Sequence, residues 1–143
     1  MQENRLLDSN ILVYAFDTSE GDKHKKAKIL LNDCIEGKQS FSVSFQNISE
    51  FYNIVTTKIQ KPLPLEEASR ICEKIFVLNS FRKIIPTSKS LLLAMTINKE
   101  YGIHYWDALI AADMIENGVH EIYTENLADF KKVPLIKATN PFE

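Results

Sequence analysis

Cysteine and histidine are scarce in this chain, and where they stand excludes whole classes of chemistry. The two cysteines, Cys34 and Cys72, lie far apart on apolar helical faces with no C-x-x-C pair. That excludes a disulfide framework and a thiolate metal site, and both read as reduced core thiols. The three histidines, His24, His104 and His120, are scattered and lack zinc-ligand spacing. His104 reads as a polar helix-start residue, with substrate contact as its alternative. No apolar run is long enough to span a membrane, and Met1-Gln2-Glu3-Asn4-Arg5 is too polar for a secretory h-region. The expected setting is therefore cytoplasmic. Internal repeats, low-complexity tracts and long linkers are also missing.

A large excess of either charge is absent too, since the formal net charge is -2 over 143 residues. A nucleic-acid partner would have to meet local basic patches, or an acidic pocket offset by bound metal. What is present, 45% hydrophobic and 25% charged residues, suits one globular domain spanning residues 1–143.

The chain is organised around its first apolar run, Leu6-Leu7-Asp8-Ser9-Asn10-Ile11-Leu12-Val13-Tyr14-Ala15. A short buried strand is expected to run into Asp8, with Ser9-Asn10 turning the chain into a helical segment over Ile11 to Phe16. Lys23 to Glu36 carries Ala27, Leu30, Leu31, Cys34 and Ile35 at helical spacing, and Gly37 stops it. Phe41-Ser42-Val43-Ser44 reads as a second strand. The next helix runs through Phe45, Ile48, Phe51, Tyr52, Val55 and Ile59, ended by Lys61-Pro62. Pro64 opens another, with Leu65, Ala68, Ile71, Cys72, Ile75 and Leu78 facing inward. Lys83-Ile84-Ile85 reads as a third strand, and Thr87 or Ser88 caps the helix carrying Leu91, Leu92, Met95 and Ile97. Tyr105 to Glu116 is an Ala-rich helix closed by Asn117-Gly118. Glu121-Ile122-Tyr123-Thr124 and Val133 to Lys137 read as the last strands. Strands alternating with helices predict a parallel sheet covered on both faces.

Acidic residues recur at the ends of these elements. Asp8 sits inside an apolar stretch, an expensive place for a charge unless it is paired or bound to metal. It also suits the N-cap of the following helix, and a carboxylate there can cap and coordinate at once. Glu50 lies at the edge of a buried stripe, where the alternative is a boundary residue reaching outward. Asp107 is the lone acid in the first turn of an apolar helix. The helix dipole favours it there, and the alanines that follow let this helix start press against the sheet edge. Asp113, six residues on, is expected on a different face as a solvent or partner contact. Thr124 ends a strand much as Asp8 does. Glu125 and Asp129 each read as a fourth carboxylate or as surface charge. Carboxylates without histidine or cysteine partners point to a hard cation, Mg2+ or Mn2+. Such a cation activates water and neutralises charge on a phosphodiester.

Four segments, in this order and at this length, resemble the successive motifs of PIN domains, in particular the VapC-type toxins of bacterial toxin–antitoxin pairs. They are Leu7-Asp8-Ser9-Asn10-Ile11-Leu12-Val13-Tyr14, Ser49-Glu50-Phe51, Trp106-Asp107-Ala108-Leu109-Ile110-Ala111-Ala112 and Tyr123-Thr124-Glu125-Asn126-Leu127. The likeness covers nearly the whole chain, through Lys137-Ala138-Thr139-Asn140-Pro141-Phe142. It implies a three-layer α/β/α fold around a central parallel sheet of four to five strands. It also implies a Mg2+- or Mn2+-dependent endoribonuclease acting on RNA, with tRNA and other structured RNAs as candidate targets. Asp8, Glu50 and Asp107 match the family's acidic positions, with Asp8 and Asp107 anchoring the metal and Glu50 helping directly or through water. Thr124 joins the catalytic group. The family usually offers an Asp near position 126, where this chain has Asn126. That residue can ligate through its amide oxygen or hold a water, with Glu125 or Asp129 as substitutes. A homodimer and an inhibitory VapB-like antitoxin are further implications.

Lys23, Lys25, Lys26 and Lys28, or Lys58, Lys61, Lys131 and Lys132, are candidate contacts to an RNA backbone, each otherwise a solvated helix face. Two rival classes stand beside this reading. One is a PIN-like RNA- or protein-binding regulatory module with a degraded site, favoured by the departure at Asn126. The other is a phosphotransfer or phosphatase domain, which needs a second acid where Asn10 stands.

Overall fold

Leu6 and Leu7 are consecutive, yet they are 0% and 1% exposed. Side chains alternate along a strand, so this requires protein on both of its faces. In the computed structural model, which describes residues 4–143, they lie in β1 (Arg5–Leu7). Of the polar opening segment, Met1 to Glu3 fall outside the described residues. β2 (Phe41–Ser44), β3 (Phe81–Ile84), β4 (Glu121–Tyr123) and β5 (Lys137–Thr139) join β1 in a five-stranded sheet, ordered β3-β2-β1-β4-β5. Every pair is parallel, in registers that set Arg5 beside Phe41 and Leu7 beside Tyr123.

α1 (Ser9–Tyr14), α2 (Asp22–Ile35), α3 (Phe45–Thr57) and α4 (Leu65–Val77) pack on the face to which Leu7 points, burying Ile11, Phe41, Phe51, Val55 and Phe81. α5 (Ser88–Tyr101), α6 (Tyr105–Glu116) and α7 (Leu127–Phe130) cover the other face, where Leu6 meets Ile84, Ile110, Met114, Ile122 and Phe130. This is the expected α/β/α arrangement. Among the described residues, no helix is long and apolar enough to cross a membrane.

The topology places the site. From β1 the chain steps outward to β2 and β3, then returns across the sheet to β4 and β5. Strand order therefore reverses beside β1, and in open parallel sheets the crevice at such a point, outside the carboxyl ends, takes ligands. Asp8 is the first residue after β1 and Thr124 the first after β4, and the Asp8 amide donates to the Tyr123 carbonyl at 3.0 Å. Gly102, with φ 68°, closes α5 in the left-handed region. The chain then turns through buried Ile103 so that α6 begins with Asp107 in its first turn.

Four sequence expectations need correction. α3 ends at Thr57, before Lys61-Pro62, because Ile59 turns back into the core and the Leu63 amide donates to the Val55 carbonyl at 2.8 Å. Leu65 does not face inward: it is 63% exposed in the first turn of α4. β3 starts at Phe81 and stops at Ile84, leaving Ile85 exposed before Pro86. The last strand is Lys137–Thr139, since Val133 to Ile136 form a turn around Pro134, which has no amide hydrogen for a ladder.

Candidate active site

Asp8 ends β1 and N-caps α1, its Oδ1 accepting from the Ser9 amide at 2.8 Å. It is nearly enclosed, at 6% exposure. Its other oxygen, Oδ2, accepts from the Thr124 hydroxyl at 2.7 Å, and Asn47 Nδ2 donates to Oδ1 at 3.3 Å. Burial pushes the Asp8 carboxyl above its ordinary range, against the Thr124 and Ser9 hydrogen bonds, and the nearby Glu50 charge adds to the rise.

Glu50 projects from α3. Its Oε2 accepts from the Ser9 hydroxyl at 3.0 Å and its Oε1 from Gln46 Nε2 at 2.7 Å. The start of α3 is fixed by reciprocal bonds between Ser44 and Asn47: the Asn47 amide donates to Ser44 Oγ at 3.0 Å and the Ser44 amide to Asn47 Oδ1 at 3.1 Å. Asn47 thus serves the helix cap and Asp8 together.

Asp107 is half-buried in the first turn of α6, and Asn126 Nδ2 donates to its Oδ2 at 2.8 Å. The Asn126 backbone amide in turn donates to Thr124 Oγ1 at 2.9 Å. Asp8, Thr124, Asn126 and Asp107 therefore form one hydrogen-bonded chain across the carboxyl ends of β1 and β4. Burial raises Asp107 to about 7, helped by the carboxyls of Asp129 and Asp8, while Asn126 works the other way.

The remaining acids divide. Asp129, on α7, stands close enough to Asp107 to raise its pKa. Both oxygens of Glu125 are engaged elsewhere, by the Tyr14 hydroxyl and by Lys23 Nζ at 2.7 Å. Burial disfavours the Glu125 charge, but Lys23 and Tyr14 outweigh it and hold the carboxyl below its usual range. Tyr14 is itself pushed up to about 12 by burial and by Glu125. Asp113 corrects an expectation. It is not a solvent contact but 0% exposed, because α6 is buried continuously from Ala108 to Met114. Neither of its carboxylate oxygens meets a donor in good hydrogen-bond geometry, and burial raises its pKa against the opposing influence of the nearby Ser90 hydroxyl. His104 is exposed at the N-cap of α6 with no side-chain capping bond.

Among the described residues, no three His, Cys, Asp or Glu side chains already stand together as an ion cage. The donor set nevertheless fits a hard cation. Asp8, Glu50 and Asp107 offer only oxygen, and Asn126 adds an amide oxygen while its Nδ2 faces Asp107. Asp107 carries a carboxyl whose charge its neighbouring acids oppose, which a bound cation would relieve. Sequence reasoning missed Ser9, Asn47, Tyr14 and Lys23 as supports of these residues. The one available signal was Ser44-x-x-Asn47, a capping pair immediately before Glu50.

Comparison with known proteins adds a family and a set of folds. Residues 5–135 match the PIN domain model. A toxin–antitoxin complex from Klebsiella pneumoniae superposes with a TM-score of 0.65 at 20% identity, over 98% of this chain and 99% of that one. The sarcin-ricin loop cleaving toxin VapC20 of Mycobacterium tuberculosis gives a TM-score of 0.68 at 13% identity, over 88% and 92%. FitAcB from Neisseria gonorrhoeae gives 0.66 at 18%, over 96% and 97%. At these identities the likeness is one of fold. A search of curated protein sequences returned no match.

Proposed function

Because the chain belongs to the PIN domain family, we propose that it is a divalent-metal-dependent endoribonuclease of the VapC toxin type, residues 1–143 acting as one domain. The observation that carries this reading is the bonded chain Asp8–Thr124–Asn126–Asp107 at the strand-order reversal, with Glu50 joined to it through Ser9. Asp8, Glu50, Asp107 and the Asn126 amide oxygen would hold Mg2+ or Mn2+, with Asp129 the next available acid. When bound, the ion supplies Lewis-acid activation of water and neutralises charge on the scissile phosphate. Thr124 fixes one oxygen of Asp8, and Asn126 fixes one of Asp107, so the acids are oriented before substrate arrives. Glu50, held by Ser9 and Gln46, would help to hold the ion directly or through a water. Glu125, committed to Tyr14 and Lys23, steadies the segment between Thr124 and Asn126 and is not among the proposed ligands.

An antitoxin and a second copy of the chain complete the proposal. The structural neighbours include toxin–antitoxin complexes, and a cavity of about 370 Å3 lined by Phe16, Leu31, Ile35, Ile75 and Val77 suits an apolar antitoxin segment. One feature favours a second reading, a PIN-like RNA- or protein-binding module: Asn126 places a neutral amide where the family has an acid. A single experiment separates the two. Purified protein is incubated with structured RNAs and Mn2+, beside a folded Asp8→Asn variant. Metal-dependent cleavage lost in the variant is the expected result. A folded wild type that binds RNA, cuts none of a broad pool and fails to bind Mn2+ supports the binding module instead, whereas Mn2+ binding by the wild type alone points to a narrow RNA target.

A further inference from the structure

Trp106 is the sole tryptophan of the chain and is 56% exposed, so the core does not account for it. It stands in the first turn of α6, one residue before Asp107. Its ring is braced by Tyr105, edge to face, with centroids 5.2 Å apart and planes at 73°. Its carbonyl accepts from Gln46 Nε2 at 3.2 Å, the same nitrogen that holds Glu50. Beside it opens a shallow cavity of about 360 Å3, walled by Trp106, Gln46, Ser49 and Glu50. The cavity thus joins an aromatic face to one candidate metal-binding acid, Glu50. None of its four walls is cationic, so it offers no attraction to a phosphate. What it offers is a planar apolar surface with an amide and a hydroxyl alongside.

From this geometry we infer that Trp106 is a stacking platform for one unpaired nucleobase of the bound strand; the inference rests on the ribonuclease reading above. A base inside a duplex is already stacked on both faces, whereas an unpaired base gains from an aromatic platform. Ser49, exposed beside the ring, is the wall group able to meet the base edge, while Gln46 is spent on Glu50 and the Trp106 carbonyl. Trp106 acts as a specificity residue and leaves the chemistry to the acids.

Because Trp106 is the only tryptophan, its fluorescence reports the contact directly. The protein is titrated in EDTA with short single strands of oligo(A), oligo(C) and oligo(U), and with a duplex of equal length. Affinity is measured in parallel by anisotropy of labelled strands. Saturable quenching by single strands, with a weaker response to duplex, is expected. Trp106→Phe keeps binding within about threefold, while Trp106→Ala weakens it about tenfold or more, as loss of one stacked base predicts. In Mn2+, Trp106→Ala raises KM and leaves kcat nearly unchanged. Strands that bind without altering the fluorescence, or that bind Trp106→Ala equally well, overturn the inference. So does a fluorescence shift on raising protein concentration without RNA and with no further response to strands, which makes Trp106 a contact between copies. Failure to bind any strand overturns it as well. Cutting without quenching leaves the ribonuclease reading standing and this inference fallen. Quenching without cutting in Mn2+ does the reverse.

Discussion

Asp107 sets the pH behaviour of the metal-free protein. Burial, with the carboxyls of Asp129 and Asp8, raises its pKa from 3.8 to about 7. A proton held more tightly in the folded state adds stability that is complete below the unfolded pKa and lost as pH rises through the folded one. Urea denaturation in EDTA is therefore expected to show stability falling between about pH 4 and about pH 7, with a shallower fall in Asp107→Asn. An unchanged slope in the variant would assign that proton to Asp8 or Asp113, which are raised too. Glu125 is shifted the opposite way, held below its ordinary range by Lys23 and Tyr14 against the effect of burial. Its own test is Glu125→Gln, which removes the charge facing Lys23 and leaves an acceptor for Tyr14. The Tyr14 phenol is expected to fall part of the way from about 12 towards 10, burial keeping the rest of the shift. Tyrosinate absorbance titrated against Tyr14→Phe reads this, and no change would show that burial alone sets the value. Asp8, Glu50 and Asp107 were legible as candidates because each interrupts an apolar pattern. Their supports were not: Asn47 meets Asp8 across 39 positions and Tyr14 meets Glu125 across 111, distances no local pattern reports.

At the scale of elements, the start of α3 is where fold and candidate site share a residue. Asn47 is fully enclosed, accepts from the Ser44 amide at 3.1 Å and donates to Asp8 at 3.3 Å. Asn47→Ala leaves a buried amide at the helix start without its acceptor and is expected to cost about 1–2 kcal/mol. Thermal and urea unfolding check this, and a change within about 0.5 kcal/mol would show that water or a backbone shift restores the bond. Much of this layer was readable. α6 occupies the predicted Tyr105 to Glu116, because its apolar run is bounded by a polar start and by Asn117-Gly118. β2 occupies the predicted Phe41 to Ser44. The last strand was not readable, because Val133 and Ile136 are buried without being paired, and apolar spacing alone cannot separate a packed turn from a strand. Leu65 failed for a related reason. It shares the helical stripe of Ala68 and Ile75, but the first turn of α4 extends past the core that they fill.

Among the uncovered apolar surfaces of the described residues, two have shapes that suit different occupants. The cavity lined from α2 and α4 is concave, which fits a segment of another chain. The row on α5 is convex: Leu91, Leu92 and Met95 are 40%, 65% and 46% exposed and lie at i, i+1 and i+4, one face of the helix. A convex helical ridge is poorly made to grip a peptide but pairs readily with its own copy about a two-fold axis, each ridge packing into the groove of the other. We therefore assign the proposed homodimer to α5 and the antitoxin to the cavity. Leu92→Glu would place a charge in the centre of that face in both copies at once, so its effect doubles at a symmetric contact. Sedimentation velocity is expected to show the wild type as a dimer and Leu92→Glu as a monomer, with unchanged far-UV circular dichroism and unchanged Mn2+-dependent cleavage per chain. If Leu92→Glu keeps the wild-type mass, the dimer uses another surface. If it becomes monomeric and also stops cutting, the site depends on the second copy, and the acids of one chain do not suffice.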